Sequence, residues 1–502
     1  MFNSSSRKIN KYQEHKVVEL KSALKKAMSY AEWKEIALQL DVETGAEAWK
    51  YDNESPYFDA AILSKRYNLL KKYRAQHRTL DLVYVLREGL TYDIANIGHP
   101  MLFTETYVGT KKIIEDYIDE VATCLNYLVS TECLTFGVEQ KIQFFEECLK
   151  AYGQPALMFS GGSTLGLFHT GVCKALLEQD LMPHVLSGAS AGSIMAAMIG
   201  VSDPDKIPDL LTGEHFFSEA FKFRSLSELV KGQGGIADVM YLKKFLMKNL
   251  GDVTFAEAYQ QSKRHINIVI APYNTSQNPR IMNALTSPNV LVWSAVLASC
   301  AVPILFPPVR LTSKRYDGKH TPYLSNTRWV DGSMRSDFPQ EKMARLYNIN
   351  YTIASQVNPH VVPFMQSDAE RFRRDLLSWP ERMLREQAKV FGMEMMDLTR
   401  NYMGSFFPIR RVLDHGYGIL GQRYYGDVNI IAKYGLRHFS YMLQNPRPAL
   451  FNILQKEGEH ATWSKITSIE IHARIGKILE SCLSLLQTQK EQQPNELYAM
   501  DF

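Results

Sequence analysis

The chain has 502 residues, a length that suggests two to four domains. Hydrophobic residues make up 45% and charged residues 22%, so the chain can bury a large core and is not intrinsically disordered. The 57 Lys and Arg residues against 53 Asp and Glu residues give a net charge of +4, which is too balanced for a protein that binds nucleic acid through bulk charge. The six cysteines form no C-x-x-C pair, so the sequence predicts no disulfide framework, no zinc site and a reducing compartment.

The first 151 residues predict a helical N-terminal region. Apolar residues recur there at three- and four-residue spacing over 17–40, 61–89, 105–129 and 138–151. The extreme N-terminus is polar and lacks the apolar segment of a signal peptide. Basic residues clustered between positions 7 and 26 are compatible with a solvated helix face or with a surface that contacts anionic lipid head groups.

From about residue 152 short apolar runs alternate with helical segments, which predicts an α/β core with a mainly parallel sheet over 152–358. The predicted strands are 156–159, 185–186, 266–270, 328–330 and 351–354. A helical C-terminal region is expected over 359–502, with helices at 367–400, 430–443 and 464–488.

Two stretches carry no Asp, Glu, Lys or Arg, 181–202 and 281–309. Each exceeds the roughly 18 residues that suggest a transmembrane helix. Prolines interrupt both stretches and glycines also interrupt the first, so we interpret them as strands and helices of a buried core. The sequence therefore predicts no transmembrane span and a cytoplasmic protein.

A serine lies at the centre of a G-x-S-x-G motif, Gly188-Ala189-Ser190-Ala191-Gly192. The strand run before it and the apolar helix after it predict a sharp strand-to-helix turn, on which bulky neighbours would collide. The start of the helix would favour a developing anion. We therefore identify Ser190 as the candidate nucleophile, with Gly188 and Gly192 completing the nucleophile elbow; a chance Gly/Ser turn is the alternative.

A glycine-rich turn upstream, Ser160-Gly161-Gly162-Ser163, follows a predicted strand and precedes a helix. Glycines let backbone N–H groups approach a substrate oxygen, so Gly161, Gly162 and Ser163 are candidates for an oxyanion hole. The turn does not match a phosphate-binding loop, because no Lys-Ser/Thr follows its last glycine. A purely structural tight turn is the alternative.

The candidate general base is Asp331, which ends a predicted strand and precedes Gly332. An aspartate in this position is also a common turn former. A conventional triad needs a histidine after the acid, and His360 stands where such a histidine would come. Sequence order does not separate a Ser-Asp-His triad from a two-residue Ser-Asp arrangement.

Together these motifs resemble those of the patatin-like lipases. The likeness is strongest to the intracellular triacylglycerol-lipase branch, which carries a helical region before the patatin core, and it covers roughly residues 15–440. The matching residues of the front region are Tyr30-Ala31-Glu32-Trp33-Lys34 and Ala48-Trp49-Lys50. The matching residues of the core are Leu165-Gly166-Leu167-Phe168-His169-Thr170-Gly171-Val172, Leu186-Ser187-Gly188-Ala189-Ser190-Ala191-Gly192-Ser193, Ala298-Ser299-Cys300-Ala301-Val302-Pro303 and Asp331-Gly332-Ser333.

The resemblance implies a three-layer α/β/α core and a serine acyl-hydrolase that uses no cofactor and no metal. It also implies a catalytic dyad, in which Ser190 forms an acyl-enzyme, Asp331 is the base, and the amides around Gly161, Gly162 and Ser163 form the oxyanion hole. The implied substrate is a glycerolipid at a membrane or lipid-droplet surface, with which the protein would associate peripherally.

Two departures from the family pattern concern the glycine-rich turn. Many relatives have a third glycine where Ser163 stands, and a basic residue where Leu165 stands. Loss of the basic residue removes a head-group partner and mildly favours neutral glycerides over phospholipids. The acyltransferase signature H-x-x-x-x-D is absent.

Three alternatives to a triacylglycerol lipase stay open. One is a phospholipase A-type hydrolase, one is a catalytically silent lipid-surface scaffold, and one is a soluble small-ester hydrolase with a triad through His360. Arginines beside aromatic and methionine residues in 367–400 favour either a lipid-surface helix or a helix on the core. The helix at 464–488 is compatible with pairing in a homo-oligomer or with docking on its own core.

Overall fold

The computed structural model describes residues 11–213, 239–273, 277–303, 306–333, 337–359, 361, 362, 365, 425–442 and 444–492. The chain divides into two compact units. The helical unit comprises Met1–Gln154, Asn348–Tyr351 and Trp463–Phe502, and the α/β unit comprises Pro155–Tyr347 and Thr352–Thr462.

The predicted N-terminal helices are present in the helical unit. They are α1 (Lys11–Leu24), α2 (Tyr30–Thr44), α3 (Ala46–Tyr51), α4 (Ala60–Ala75), α5 (Thr79–Gly89), α6 (Lys112–Ser130) and α7 (Val138–Tyr152). The predicted segment 17–40 is divided in two because the Ser29 hydroxyl accepts a hydrogen bond from the N–H of Glu32 and thereby caps a new helix, α2. That helix ends at Gly45, whose φ of 72° suits a glycine.

The C-terminal helix (Ile466–Gln492) belongs to the core of the helical unit. It contacts α6 and α7, and its apolar side chains are buried in one cluster with theirs. Members of this cluster include Ile118, Leu125, Phe145, Ile475, Leu479 and Leu486. Of the two arrangements expected for this helix, the structure shows docking on its own chain.

Within the described residues, the α/β unit contains the five strands that the alternating pattern predicts and four further strands. Its strands are β1 (Gln154–Phe159), β2 (Val185–Gly188), β3 (His265–Pro272), β4 (Arg280–Met282), β5 (Leu311–Lys314), β6 (His320–Tyr323), β7 (Trp329–Asp331), β8 (Ile349–Gln356) and β9 (Val428–Ile431). Its helices are α8 (Phe168–Glu178), α9 (Ala191–Val201), α10 (Ile207–Leu210), α11 (Val239–Leu250), α12 (Phe255–Ser262), α13 (Val292–Ser299), α14 (Gln340–Tyr347), α15 (Leu436–Tyr441) and α16 (Pro448–Trp463).

Within the described residues, seven strands form one sheet in the order β4-β3-β2-β1-β8-β9, and β7 also pairs with β3. The neighbours β1, β2 and β3 are parallel, as are β8 and β9, whereas β4 and β7 run antiparallel to β3. Phe159 lies opposite Gly188 in the register of β1 and β2. Because both strands end at the same edge of the sheet, the two turns that follow them meet there.

Both uncharged stretches belong to buried elements of this unit, as predicted. The first contains β2 and α9, and the second contains α13, whose residues are all buried. No helix in the described part of the chain has the length and apolar character needed to cross a membrane.

Among the described residues after 358, those up to Thr462 belong to the α/β unit and those from Trp463 belong to the helical unit. The division into three consecutive regions stays a prediction. The prediction of a helix over 430–443 is wrong at its start, because the β-branched run of β9 pairs with β8 and the helix α15 begins only at Leu436. The predicted helix 464–488 is confirmed but belongs to the helical unit. The predicted helix 367–400 lies outside the described residues.

We expect the substitution Leu479→Ala to lower the free energy of unfolding by about 2–5 kcal/mol, because the Leu479 side chain is fully buried in the helical unit. The matched control is Leu485→Ala on the same helix, where the side chain is 53% exposed and a change within about 0.5 kcal/mol is expected. Urea denaturation followed by circular dichroism measures both. Equal losses in the two variants would contradict the assignment of this helix to the core.

Candidate active site

Ser190 occupies a strained turn between β2 and α9. Its φ of 50° and ψ of −123° lie outside the regions that a non-glycine residue ordinarily adopts. A Cβ on Gly188 would lie 2.2 Å from the carbonyl oxygen of Gly192, and a Cβ on Gly192 would lie 2.3 Å from that of Phe159. The two motif glycines are therefore required by close backbone contacts at the elbow.

Hydrogen bonds from neighbouring elements hold the backbone of Ser190. Its N–H donates to the Ser299 hydroxyl at the end of α13 (2.9 Å), and that hydroxyl donates to the carbonyl oxygen of Val269 in β3 (2.7 Å). The carbonyl oxygen of Ser190 accepts from the Ser193 hydroxyl (2.6 Å). Helix α13 and strand β3 thus stabilise the strained turn.

Asp331 ends β7, where it lies opposite Ile270 of β3, and its carboxyl is buried. Its Oδ1 accepts the N–H of Ser333 (2.7 Å), and the Ser190 side chain lies close enough to the carboxyl to lower its pKa by hydrogen bonding. Burial raises the pKa of Asp331 to about 6, and these hydrogen bonds oppose the rise. A carboxylate with such a pKa is ionised at neutral pH and is a stronger base than an exposed aspartate.

The glycine-rich turn after β1 lies against the nucleophile. A Cβ on Gly161 would lie 3.2 Å from the Cβ of Ser190, and a Cβ on Gly162 would lie 2.7 Å from a methyl group of Val357. Ser163 has a φ of 54°, which explains why a glycine would suit this position. Its hydroxyl donates to the carbonyl oxygen of Met442 (2.6 Å), a contact that ties the turn to the end of α15.

The three amides of this turn differ in their hydrogen bonds. The N–H of Gly161 donates to Oδ1 of Asp337 (3.0 Å). The N–H groups of Gly162 and Ser163 have no acceptor among the residues that the structure describes. The turn therefore offers two amides to a ligand, and the third is used within the protein.

Sequence reasoning did not identify Asp337. Its side chain is 1% exposed, and Oδ2 accepts from Nδ2 of Asn358 (3.3 Å). Burial is the main cause that raises the pKa of Asp337 to about 7, and the negative charge of Asp331 contributes to the rise. The one signal in the sequence was its position shortly after Asp331 in Asp331-Gly332-Ser333-Met334-Arg335-Ser336-Asp337.

The structure thus brings together the candidate residues Ser190, Asp331, Gly161, Gly162 and Ser163. The alternative base, His360, lies outside the described residues.

Two family models match the chain. One, described as a domain of unknown function (DUF3336), matches residues 9–150, and one, described as patatin-like phospholipase, matches residues 157–343. The first match falls in the helical unit and the second in the α/β unit. The second match includes Ser190 and Asp331 but ends before β8 and β9.

Curated relatives match nearly the whole chain. Triacylglycerol lipase ptl3 of Schizosaccharomyces pombe is 31% identical over 93% of this chain and 98% of the relative. Triacylglycerol lipase ptl2 of the same yeast is 31% identical over 92% of this chain and 74% of the relative. Triacylglycerol lipase SDP1L of Arabidopsis thaliana is 30% identical over 93% of this chain, which spans 58% of that relative.

We expect Gly192→Ala to lower ester hydrolysis at least about 100-fold, because a Cβ there would displace the elbow that presents Ser190. The control is Gly476→Ala in the C-terminal helix, where the nearest atom lies 3.6 Å from the added Cβ. Alanine is favoured in a helix interior, so this variant should keep full activity. Initial rates on a soluble ester measure both, and wild-type rates in Gly192→Ala would contradict the assignment of the elbow.

Proposed function

The chain belongs to the patatin-like lipase family, and from that premise we propose that it cleaves the fatty-acyl esters of triacylglycerol through a Ser-Asp dyad and an acyl-enzyme. As a member of this family it is a lipid ester hydrolase. The observation that carries the proposed mechanism is the pairing of Ser190, on its strained strand-to-helix turn, with the buried carboxyl of Asp331.

In the proposed first step, Oγ of Ser190 attacks the ester carbonyl carbon while Asp331 takes the hydroxyl proton. The carbonyl oxygen becomes an oxyanion, which the amides of Gly162 and Ser163 would bind. The tetrahedral intermediate then expels the glyceride alcohol, which receives the proton from Asp331. The products of this step are the acyl-enzyme and the free alcohol.

In the second step, water attacks the acyl carbonyl carbon and gives its proton to Asp331. The same two amides would bind the second oxyanion. Collapse of this intermediate returns the proton to Oγ of Ser190 and releases the fatty acid. No histidine is needed, because a carboxylate with a raised pKa both accepts and donates the proton near neutral pH.

The choice of a neutral glyceride rests on two observations. The full-length yeast relative is named a triacylglycerol lipase. The position beside the glycine-rich turn holds Leu165, which is buried and offers no positive charge to a phosphate head group. A preference for phospholipids over neutral glycerides would contradict this choice and would indicate a phospholipase A-type activity.

A water-insoluble substrate requires an enzyme that reaches a lipid surface, so the proposal includes peripheral association with a membrane or droplet. Support comes from the end of α1 and the residues after it. Lys21, Lys25 and Lys26 are exposed there, beside Val18 and Met28, which are 67% and 70% exposed. Basic side chains next to exposed apolar ones suit an anionic lipid surface.

We expect Ser190→Ala and Asp331→Asn each to lower hydrolysis at least about 1000-fold with little change in folding, because the first removes the nucleophile and the second removes the base. The assay compares emulsified triolein, diacylglycerol, phosphatidylcholine and short-chain p-nitrophenyl esters. Flotation with the triolein emulsion measures lipid association, and circular dichroism checks the fold.

The outcomes of this assay are distinct. Full activity in either variant would overturn the dyad. Faster release of fatty acid from phosphatidylcholine than from triolein would show that the preferred substrate is a phospholipid and not triacylglycerol. Wild-type protein that hydrolyses no ester but floats with the emulsion would instead be a silent scaffold.

The raised pKa of Asp331 predicts a pH dependence. The base must be ionised, so kcat/KM on a soluble ester should be level at neutral pH and fall about tenfold per pH unit below its pKa of about 6. Initial rates between about pH 4.5 and pH 8, with fluorescence as a control for unfolding, measure the profile. A fall centred near pH 4, as for an exposed aspartate, would contradict the buried base.

A further inference from the structure

Asp337 places a second buried carboxyl beneath the glycine-rich turn. Its Oδ1 accepts the N–H of Gly161 (3.0 Å), and Gly161 is the residue of the turn that lies against the Cβ of Ser190. Its Oδ2 accepts from Asn358 (3.3 Å), which follows β8. The carboxyl therefore connects the turn after β1 to the segment after β8.

Hydrogen bonds fix the rest of the turn on both sides of Gly161. The Ser160 hydroxyl accepts the N–H of Val357 (2.8 Å), and the N–H of Ser160 donates to the carbonyl oxygen of Ser355 (3.0 Å). On the other side, the Ser163 hydroxyl donates to Met442 (2.6 Å). Within the described residues, the amide of Gly161 is held by a side chain, and that side chain is Asp337.

We propose that Asp337 is a positioning residue, whose carboxyl oxygen holds the Gly161 amide and thereby orients the amides of Gly162 and Ser163 toward the oxyanion formed on the Ser190 ester. The inference rests on the proposed function and deepens it. It separates the three candidate amides into one that anchors the turn and two that contact the substrate oxygen.

The geometry explains why a side chain is needed at this point. The turn must leave two amides without protein acceptors, and such a segment is poorly held by its own backbone. A carboxyl oxygen that accepts the preceding amide restrains the turn without occupying the two that bind substrate. A displacement of about 1 Å in a preorganised donor is enough to lower a rate about 100-fold.

The test compares Asp337→Ala with Asp337→Asn in the full chain. Alanine removes the acceptor of the Gly161 amide, and asparagine keeps an acceptor oxygen while removing the charge. We expect kcat on a soluble p-nitrophenyl ester to fall about 10- to 100-fold in Asp337→Ala with KM nearly unchanged, and to stay within about threefold of wild type in Asp337→Asn.

The matched control is Asp41→Ala in the helical unit. Asp41 is also fully buried and accepts two backbone amides, from Tyr107 (2.8 Å) and Val108 (3.1 Å). If Asp337 merely stabilises the fold, both alanine variants should lose melting temperature alike and keep the kcat of wild type. A loss of kcat confined to Asp337→Ala supports positioning.

The split between kcat and KM gives a readout that a merely structural role would not move. Asp337 has a pKa of about 7, so its carboxyl is mostly protonated near pH 6, where Asp331 titrates. Asp337→Asn should therefore leave the acid limb of kcat/KM near pH 6, as in wild type.

The outcomes separate this inference from the proposed function. A wild-type enzyme that acts through Ser190, together with an Asp337→Ala variant of equal kcat, overturns the positioning role alone. A wild-type protein without ester hydrolysis overturns the proposed function and this inference with it. If Asp337→Ala does not fold, Asp337→Asn decides: a loss of kcat overturns the inference, and a kcat within about threefold of wild type supports it.

Discussion

The positive φ of Ser190 is the constraint on which the rest of the α/β unit depends. A serine in this conformation persists only where its surroundings hold it, and here the surroundings come from several elements. Strands β2 and β3 and helices α9 and α13 all touch the turn, and the two motif glycines leave room for their close approach. The same sheet places β7 against β3, so Asp331 ends a strand that pairs with the strand supporting the serine turn.

The burial of the Asp331 carboxyl has a cost in stability. The pKa of Asp331 is about 6 in the folded protein against an ordinary value of 3.8, so the folded state binds this proton more tightly than the unfolded chain. The stability that comes from the protonated carboxyl is complete below about pH 4 and is lost as the pH rises through about 6, a difference of roughly 3 kcal/mol. The α/β unit is thus less stable at the pH where the Asp331 carboxyl is ionised, which is the form that the proposed reaction requires.

The sequence predicted most of the elements and the candidate residues Ser190 and Asp331 because both leave local signals. Alternating apolar runs indicate strands and helices. Ser190 lies in a motif whose glycines are required because a side chain in their place would collide with the backbone. The role of Asp337 could not be predicted, because its partners, Gly161 and Asn358, are distant along the chain and one carboxylate looks like another in sequence. Strand β9 could not be predicted for the same reason. Its four residues form a strand because they pair with β8, although the sequence around them favours a helix.

The helical unit contains the first helices that the structure describes, and its core is completed by the last of them, Ile466–Gln492. The Tyr152 hydroxyl donates to the carbonyl oxygen of His472, a contact between residues 320 positions apart. A ribosome takes on the order of tens of seconds to add that many residues. During this interval α4 to α7 have left the ribosome with one apolar side uncovered, while the whole α/β unit is still being made. The first unit to be synthesised is therefore the last that can finish folding, and a chain released early would expose that apolar side to aggregation or to chaperones.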